Sequence, residues 1–335
     1  MRCVVVTGPR SLGVETIPDP TPGTGELVLR VGACGICGSD LHAHQLGLVP
    51  RGSVMGHEFA GEVMESAHGW KAGDRACALP ALSCGHCERC LSGLGVFCTH
   101  GMKGIGLGQA AGAYAQYVTV SAHHMVRLPA GVDEQHGALV EPLAVGLHAV
   151  NVAALRSAEN VLVLGAGPIG LASLVWARHF GARSVIVCEK SPGRRAMAAA
   201  LGASAVVDPA DGSSLLGALQ QLAPLGVDVV FEAVGLPGLI SSALQAVKFR
   251  GRVVVVGVCM QQDSFMPFAG IAKEASLHFV LAYEKRDFEY TVDMLEQGRI
   301  APAPMITDVI PLEGVAAAFD ALEHPTTQSK VMVVP

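Results

Sequence analysis

Residues 160–190, NVLVLGAGPIGLASLVWARHFGARSVIVCEK, restrict the fold more than any other stretch of the chain. Residues 160–164 are an apolar run of the kind that forms a strand buried on both faces. The run meets Gly165-Ala-Gly167-Pro168-Ile169-Gly170, and a helical pattern opens at Pro168 and stops at Gly181. A second apolar run, SVIVC, ends at Glu189, nineteen residues past Gly170. A lone glycine triplet is weak evidence. Strand, glycine turn, helix, strand and acid in this order make the whole dinucleotide-binding fingerprint. The glycines let backbone approach a pyrophosphate, the helix N-terminus faces its charge, and the acid takes the ribose hydroxyls. Residues 160–177 are also eighteen in a row without a charge, the length at which a membrane span is considered. Gly165, Gly167, Pro168 and Gly170 in their middle argue instead for a strand turning into a helix, and no membrane partner is expected.

Further strand signals at ASAVVD, GVDVVFEAVG and GRVVVVGV alternate with helix-like segments. The pattern predicts an α/β fold with a doubly wound parallel sheet. Ligands of such sheets sit beyond the carboxyl ends of the strands, so Val234, Gly257 and Val258 are expected to line the crevice, although each also suits an ordinary turn. Glu189 would repel the extra phosphate of NADP, which predicts NAD. Arg194 and Arg195 stand close enough in sequence to pair with that phosphate, which keeps NADP open at this level.

At 335 residues the chain has material for two domains. Its net charge of −6, with no basic stripe, argues against a nucleic-acid partner. MRCVVVTGPR lacks the pattern of a signal peptide, and the expected setting is cytoplasmic, where thiols stay reduced.

Four of the ten cysteines, Cys84, Cys87, Cys90 and Cys98, follow the spacing C-x2-C-x2-C-x7-C. Short intervals let turns aim thiolates at one point, as a tetrahedral zinc site requires, and Gly85, Gly93 and Gly95 allow those turns. Disulfides suit a reduced compartment poorly. Four protein ligands leave no open position, so this predicts a structural zinc, and chemistry must lie elsewhere. A second set of metal-type residues is scattered through CGICGSDLH (34–42), GHEFAG (56–61) and VEPLAVGLHAV (140–150): Cys37, His57, Glu58 and Glu141. Each alone has a plainer reading. Cys34 and Cys37 also make a redox C-x-x-C, His57 with Glu58 a structural pair, and Glu141 before Pro142 a helix cap.

In combination these motifs resemble the zinc-containing medium-chain dehydrogenase/reductase family. CGICGSDLH, GHEFAG and the four-cysteine lobe precede the dinucleotide fingerprint in that family's order, and KEASLHFVLAYEKRDFEYTVDMLEQGRI with SKVMVVP resembles its C-terminal segment. VEPLAVGLHAV points to the polyol and secondary-alcohol branch, with sorbitol, butanediol and threonine dehydrogenases. The resemblance implies a β-rich, GroES-like catalytic domain with the four-cysteine zinc lobe over residues 1–142, the dinucleotide-binding domain over 143–280, and a return to the first domain over 281–335. It implies two zincs per chain, the second held by Cys37 and His57 with Glu58 and Glu141 as direct or water-bridged ligands. The Cys37 and Glu141 charges would balance a dication. It implies an NAD-dependent alcohol dehydrogenase acting on a small alcohol or carbonyl, with Arg194 as the basic cofactor-binding residue that accompanies the acid in NAD users, Ser39 and His42 as a proton relay, and a homo-oligomer, dimer or tetramer. Unaided, Ser39 reads as a turn residue and His42 as a surface histidine. A catalytically silent, zinc-stabilised NAD-binding relative is the alternative of another class.

Overall fold

The computed structural model describes residues 1–323 and 327–335; residues 324–326, inside the expected C-terminal return, lie outside the described residues. Six strands, Asn160–Leu164, Ser184–Cys188, Ala205–Val207, Val227–Glu232, Val247–Val255 and Ser276–Phe279, form one parallel sheet. Numbered along the chain, their spatial order is 3-2-1-4-5-6. Such a sheet opens its ligand crevice between strands 1 and 4, where the connections change direction. Helices cover both faces, so the strands must be apolar throughout; Val227–Glu232 is buried at every position. One face packs under Trp176, Leu171 and Leu174 of helix Pro168–His179, and the other under Ala243 and Leu244.

The second sheet has seven strands. Glu26–Gly35, Glu58–Val63, Arg75–Ala78, Tyr117–Ser121 and Met125–Arg127 come from the first part of the chain, and Ile306–Ile310 and Lys330–Val333 from its end. Alternating burial along Glu26–Gly35 shows why these strands read as β-rich rather than continuously apolar. Strand register joins distant parts of the chain within this sheet. Met332 lies opposite Gly35 and Val333 opposite Cys34, while Gly35 also lies opposite Glu58. Three segments far apart in sequence thus meet at one end of the sheet, bringing Cys37, His57-Glu58 and Lys330 together.

Helix Val140–Val152 begins at Val140, with Leu139 as its cap residue. Pro142 is therefore its third residue rather than its first, and Glu141 lies inside the first turn instead of capping it. The preceding short helix, Glu134–Ala138, supplies the entry that Pro142 seemed to mark. Among the described residues no helix is long and apolar enough to cross a membrane.

Candidate metal and dinucleotide sites

Cys37 stands at the N-terminus of helix Gly38–Gln45, where the strand Glu26–Gly35 turns into the helix. Its thiol, a His57 ring nitrogen and a Glu58 carboxylate oxygen all lie within 4.8 Å of one another. Ser39 faces the first two: its Oγ donates to Cys37 Sγ at 3.2 Å and lies 3.3 Å from His57 Nε2. The other ring nitrogen, His57 Nδ1, is 3.1 Å from Asp40 Oδ1, which leaves Nε2 as the free donor atom. His57 and Glu58 are buried, whereas Cys37 is partly exposed, so the group is open on the Cys37 side.

Asp40 is fully buried and takes three donors: His57, the Cys37 backbone N–H at 3.2 Å and the Tyr114 hydroxyl at 2.6 Å. Burial alone would raise its pKa, but the His57 charge and these hydrogen bonds outweigh it and hold the carboxyl below its ordinary range. Burial likewise opposes a charge on His57, yet Asp40 and the Cys37 thiol raise its pKa well above the usual imidazole value. The negative field of Asp40 and the Cys37 thiol favours positive charge at this corner, and a metal ion there would take the place of the proton on Nε2. Thiol, imidazole and carboxylate donors with one open side are the donor set of a catalytic zinc, so these residues fit that ion.

The two glutamates differ. Glu58 is fully buried and both its oxygens accept from Lys330 Nζ, at 2.7 and 2.5 Å; Lys330, equally buried, also donates to the Ile36 carbonyl at 3.0 Å. A Cβ on Gly35 would strike the Glu58 carboxylate and stand 3.0 Å from Lys330 Cδ, which accounts for that glycine. Glu141 lies outside the close group. Its Oε1 accepts from the Tyr283 hydroxyl at 2.7 Å, and burial, then the Glu58 charge, push its pKa up to about 7. His42 lies exposed on helix Gly38–Gln45, and no hydrogen bond among the described residues joins it to Ser39.

The four-cysteine lobe is compact. Cys87 precedes the single-turn helix Glu88–Leu91 that carries Cys90, and the 3-10 turn Gly95–Phe97 delivers Cys98. Sulfur separations are 3.8 Å for Cys84–Cys90, 3.9 Å for Cys87–Cys98 and 3.5 Å for Cys84–Cys98. Sulfurs held about 2.3 Å from a tetrahedral zinc stand about 3.8 Å apart, so this group fits that ion too. All ten cysteines are free, Cys34 being buried with its thiol on the Gly35 carbonyl. Behind the lobe, Ser83 Oγ lies 3.4 Å from Cys90 Sγ and 3.2 Å from His124 Nε2.

At the nucleotide sheet, Gly165 adopts φ +93°, and a Cβ on Gly170 would overlap the Gly165 carbonyl; both glycines are required by the turn. Gly167 precedes helix Pro168–His179, with Ile169 in its first turn. Glu189, at the carboxyl end of its strand, accepts from the Ala166 and Ser191 backbone N–H groups at 2.7 and 2.8 Å. Arg194 Nε donates to the Gln328 carbonyl at 2.9 Å, and Arg195 is committed to Asp208 and two carbonyls. Val234 and Val258 are exposed at the ends of the fourth and fifth strands, with Gly257 beside them. Glu232 ties those loops together: its carboxylate accepts from Val234 and Gly235 N–H, and its carbonyl from Val256 and Gly257 N–H.

Sequence reasoning missed Asp40, Tyr114, Glu232, Tyr283 and Lys330. Asp40 had a signal, an acid three residues after a helix-capping Cys37. The others had only their residue types.

Known proteins share this architecture. Residues 23–130 match the alcohol dehydrogenase GroES-like domain, and residues 168–297 the zinc-binding dehydrogenase family. The chain is 30% identical to sorbitol dehydrogenase of Bacillus subtilis over 345 aligned positions, covering 100% of this chain and 97% of that protein. It is 30% identical to (R,R)-butanediol dehydrogenase of the same organism, covering 97% of each. Among solved structures, a zinc-binding dehydrogenase from Sinorhizobium meliloti bound to NADP has 30% identity and a TM-score of 0.89, covering 100% of this chain and 99% of that one. An alcohol dehydrogenase from E. coli CFT073 complexed with NADH has 26% identity and a TM-score of 0.91 over the same shares.

Proposed function

Because the chain belongs to the zinc-type medium-chain alcohol dehydrogenase family, whose members are oxidoreductases acting on alcohol groups, we propose that it transfers hydride between a secondary alcohol or polyol and NAD, with a catalytic zinc and a structural zinc. The observation that carries this reading is the Cys37–His57 pair, oriented by Ser39 and Asp40 and open on one side. When bound there, zinc supplies Lewis acidity toward an alcohol or carbonyl oxygen. Asp40 keeps the His57 ring in one tautomer and orientation. Ser39, facing both donor atoms, is placed to take the substrate proton, and His42 is the proposed outlet at the surface of the same helix. The four-cysteine lobe, saturated by its own ligands, contributes stability rather than chemistry.

Two observations support NAD over NADP. Glu189 has its carboxylate beside the glycine turn, fixed by two backbone donors, where it can still accept from ribose hydroxyls and repels an added phosphate. Arg195, one of the two guanidiniums that could attract a second phosphate, is paired with Asp208 at 2.8 Å, while Arg194 Nε donates to the Gln328 carbonyl. The relatives support a polyol or vicinal diol as substrate class. A homo-oligomer is supported by the edge strand Ser276–Phe279, which ends in exposed Phe279 and is flanked in sequence by exposed Met266, Phe268, Ile271 and Leu281. A reducing, cytoplasmic setting suits ten free cysteines. The test is turnover of zinc-loaded protein with NAD and with NADP across short diols, hexitols, threonine and simple secondary alcohols. A higher kcat/KM with NAD is expected on at least one. Binding of NADH without turnover of any of them would overturn the reading.

A further inference from the structure

The segment that leaves the nucleotide-binding sheet grips the helix carrying Glu141 at both ends. The last parallel strand ends at Phe279, and three residues on Ala282 adopts φ +59°, a backbone that side chains with a Cβ rarely take. That turn delivers Tyr283 into the core, its ring edge-on to Phe288 with centroids 4.9 Å apart and its hydroxyl on Glu141 Oε1. Glu284 then starts helix Lys285–Glu296, whose first turn presents Asp287, also buried. Asp287 lies 3.2 Å from His148 Nδ1 and accepts from Asn151 Nδ2 at 3.2 Å. Glu141 belongs to the first turn of helix Val140–Val152, Asn151 to its last, and His148 lies just before that last turn. The carboxylate is therefore held from the segment after the sheet, and it stands outside the close Cys37–His57–Glu58 group.

We propose that Tyr283 is a positioning residue for the metal corner: its hydroxyl fixes Glu141 Oε1, so that the carboxylate keeps one orientation toward an ion held by Cys37 and His57. The proposal rests on the reading of Glu141 as a ligand of that ion. Carboxylate ligands need their second oxygen hydrogen-bonded to keep one orientation, and Tyr283 is the donor that this chain gives Glu141. Because Tyr283 follows the carboxyl end of a strand in the nucleotide-binding sheet, the ligand is placed relative to the dinucleotide crevice as well as to the metal.

Tyr283→Phe keeps the ring against Phe288 and removes only the hydroxyl. Full-length wild-type protein and the variant, each loaded with zinc or with cobalt, are treated with a chelator while metal release is followed. The catalytic ion is expected to leave the variant about 10–100-fold faster, with the four-cysteine ion released at the wild-type rate as an internal reference. The visible spectrum of cobalt at the catalytic position should shift, kcat should fall with KM little changed, and NADH affinity should stay the same. Unchanged release and an unchanged cobalt spectrum would overturn the proposal, whatever happened to thermal stability. These readouts need no turnover, so they stand apart from the substrate panel: a wild-type protein inactive on every alcohol tested would defeat the proposed function without deciding this point.

Discussion

Replacing Lys330 by Met should be a damaging single change, although Lys330 is not itself a metal donor. Lys330 and Glu58 are both completely buried, and the ammonium serves three acceptors: the two Glu58 oxygens and the Ile36 carbonyl. Burial disfavours its charge, but Glu58 and then the Cys37 thiol more than compensate, so its pKa lies above the ordinary lysine value. Met fills a similar volume, so packing is largely kept and the carboxylate is left without a counter-charge. Breaking a buried pair in this way costs about 3–5 kcal/mol. Set against a typical stability of about 5–15 kcal/mol, that is a large share. At about 2–4 °C per kcal/mol for a large domain, the thermal midpoint should fall by about 10 °C. The assay is urea and thermal unfolding of dinucleotide-free protein for Lys330→Met, Glu58→Gln and the double variant. The double variant should recover most of the loss, because it removes the orphaned charge. A loss below about 1 kcal/mol in Lys330→Met, or a double variant no more stable than that single one, would refute the reasoning.

Other consequences can be measured independently. Asp40→Asn weakens the acceptor that orients His57 and should reduce turnover and catalytic-metal affinity about 10–100-fold, with metal analysis showing the four-cysteine ion retained. Gly95→Ala would place a methyl group on His124 Nε2, the atom bonded to Ser83 behind the cysteine lobe, and should destabilise the protein by about 1–3 kcal/mol in urea unfolding and hasten zinc loss from the lobe. His124 itself gives a pH dependence. Burial, then the neighbouring His123 charge, pull its pKa down to about 4, so folding favours the neutral ring. An unfolded histidine takes up its proton near pH 6.5, so this contribution is complete above that pH and is lost as pH falls toward 4, by up to about 3 kcal/mol. Urea midpoints between pH 7 and 4.5 should show that slope, and His124→Gln should flatten it.

What the sequence disclosed and what it hid divide along physical lines. The glycine turn at 165–170 and the four cysteines at 84–98 were legible because each is a local device whose geometry is set within a few residues. The nucleotide sheet was legible because strands buried on both faces must be apolar at every position. The supporting residues were not, because their partners lie far along the chain. Lys330 is 272 residues from Glu58, Tyr283 is 142 from Glu141, and Tyr114 is 74 from Asp40. A lysine in SKVMVVP or a tyrosine in VLAYEK carries no mark of the carboxylate that awaits it. Pro142 marked the helix start to within two residues: the helix begins at Val140, and Glu141 does lie in its first turn. Glu58 and Glu141, equivalent as sequence, are separated by their partners, an ammonium for one and a phenol for the other.

The decisive measurement compares wild-type protein with Cys37→Ala for zinc content, NADH binding and NAD-coupled oxidation of a secondary alcohol that the wild type accepts. Two zincs are expected in the wild type and one in the variant, with NADH bound equally by both and turnover only in the wild type. A Cys37→Ala protein that oxidises the alcohol at the wild-type rate would contradict that expectation.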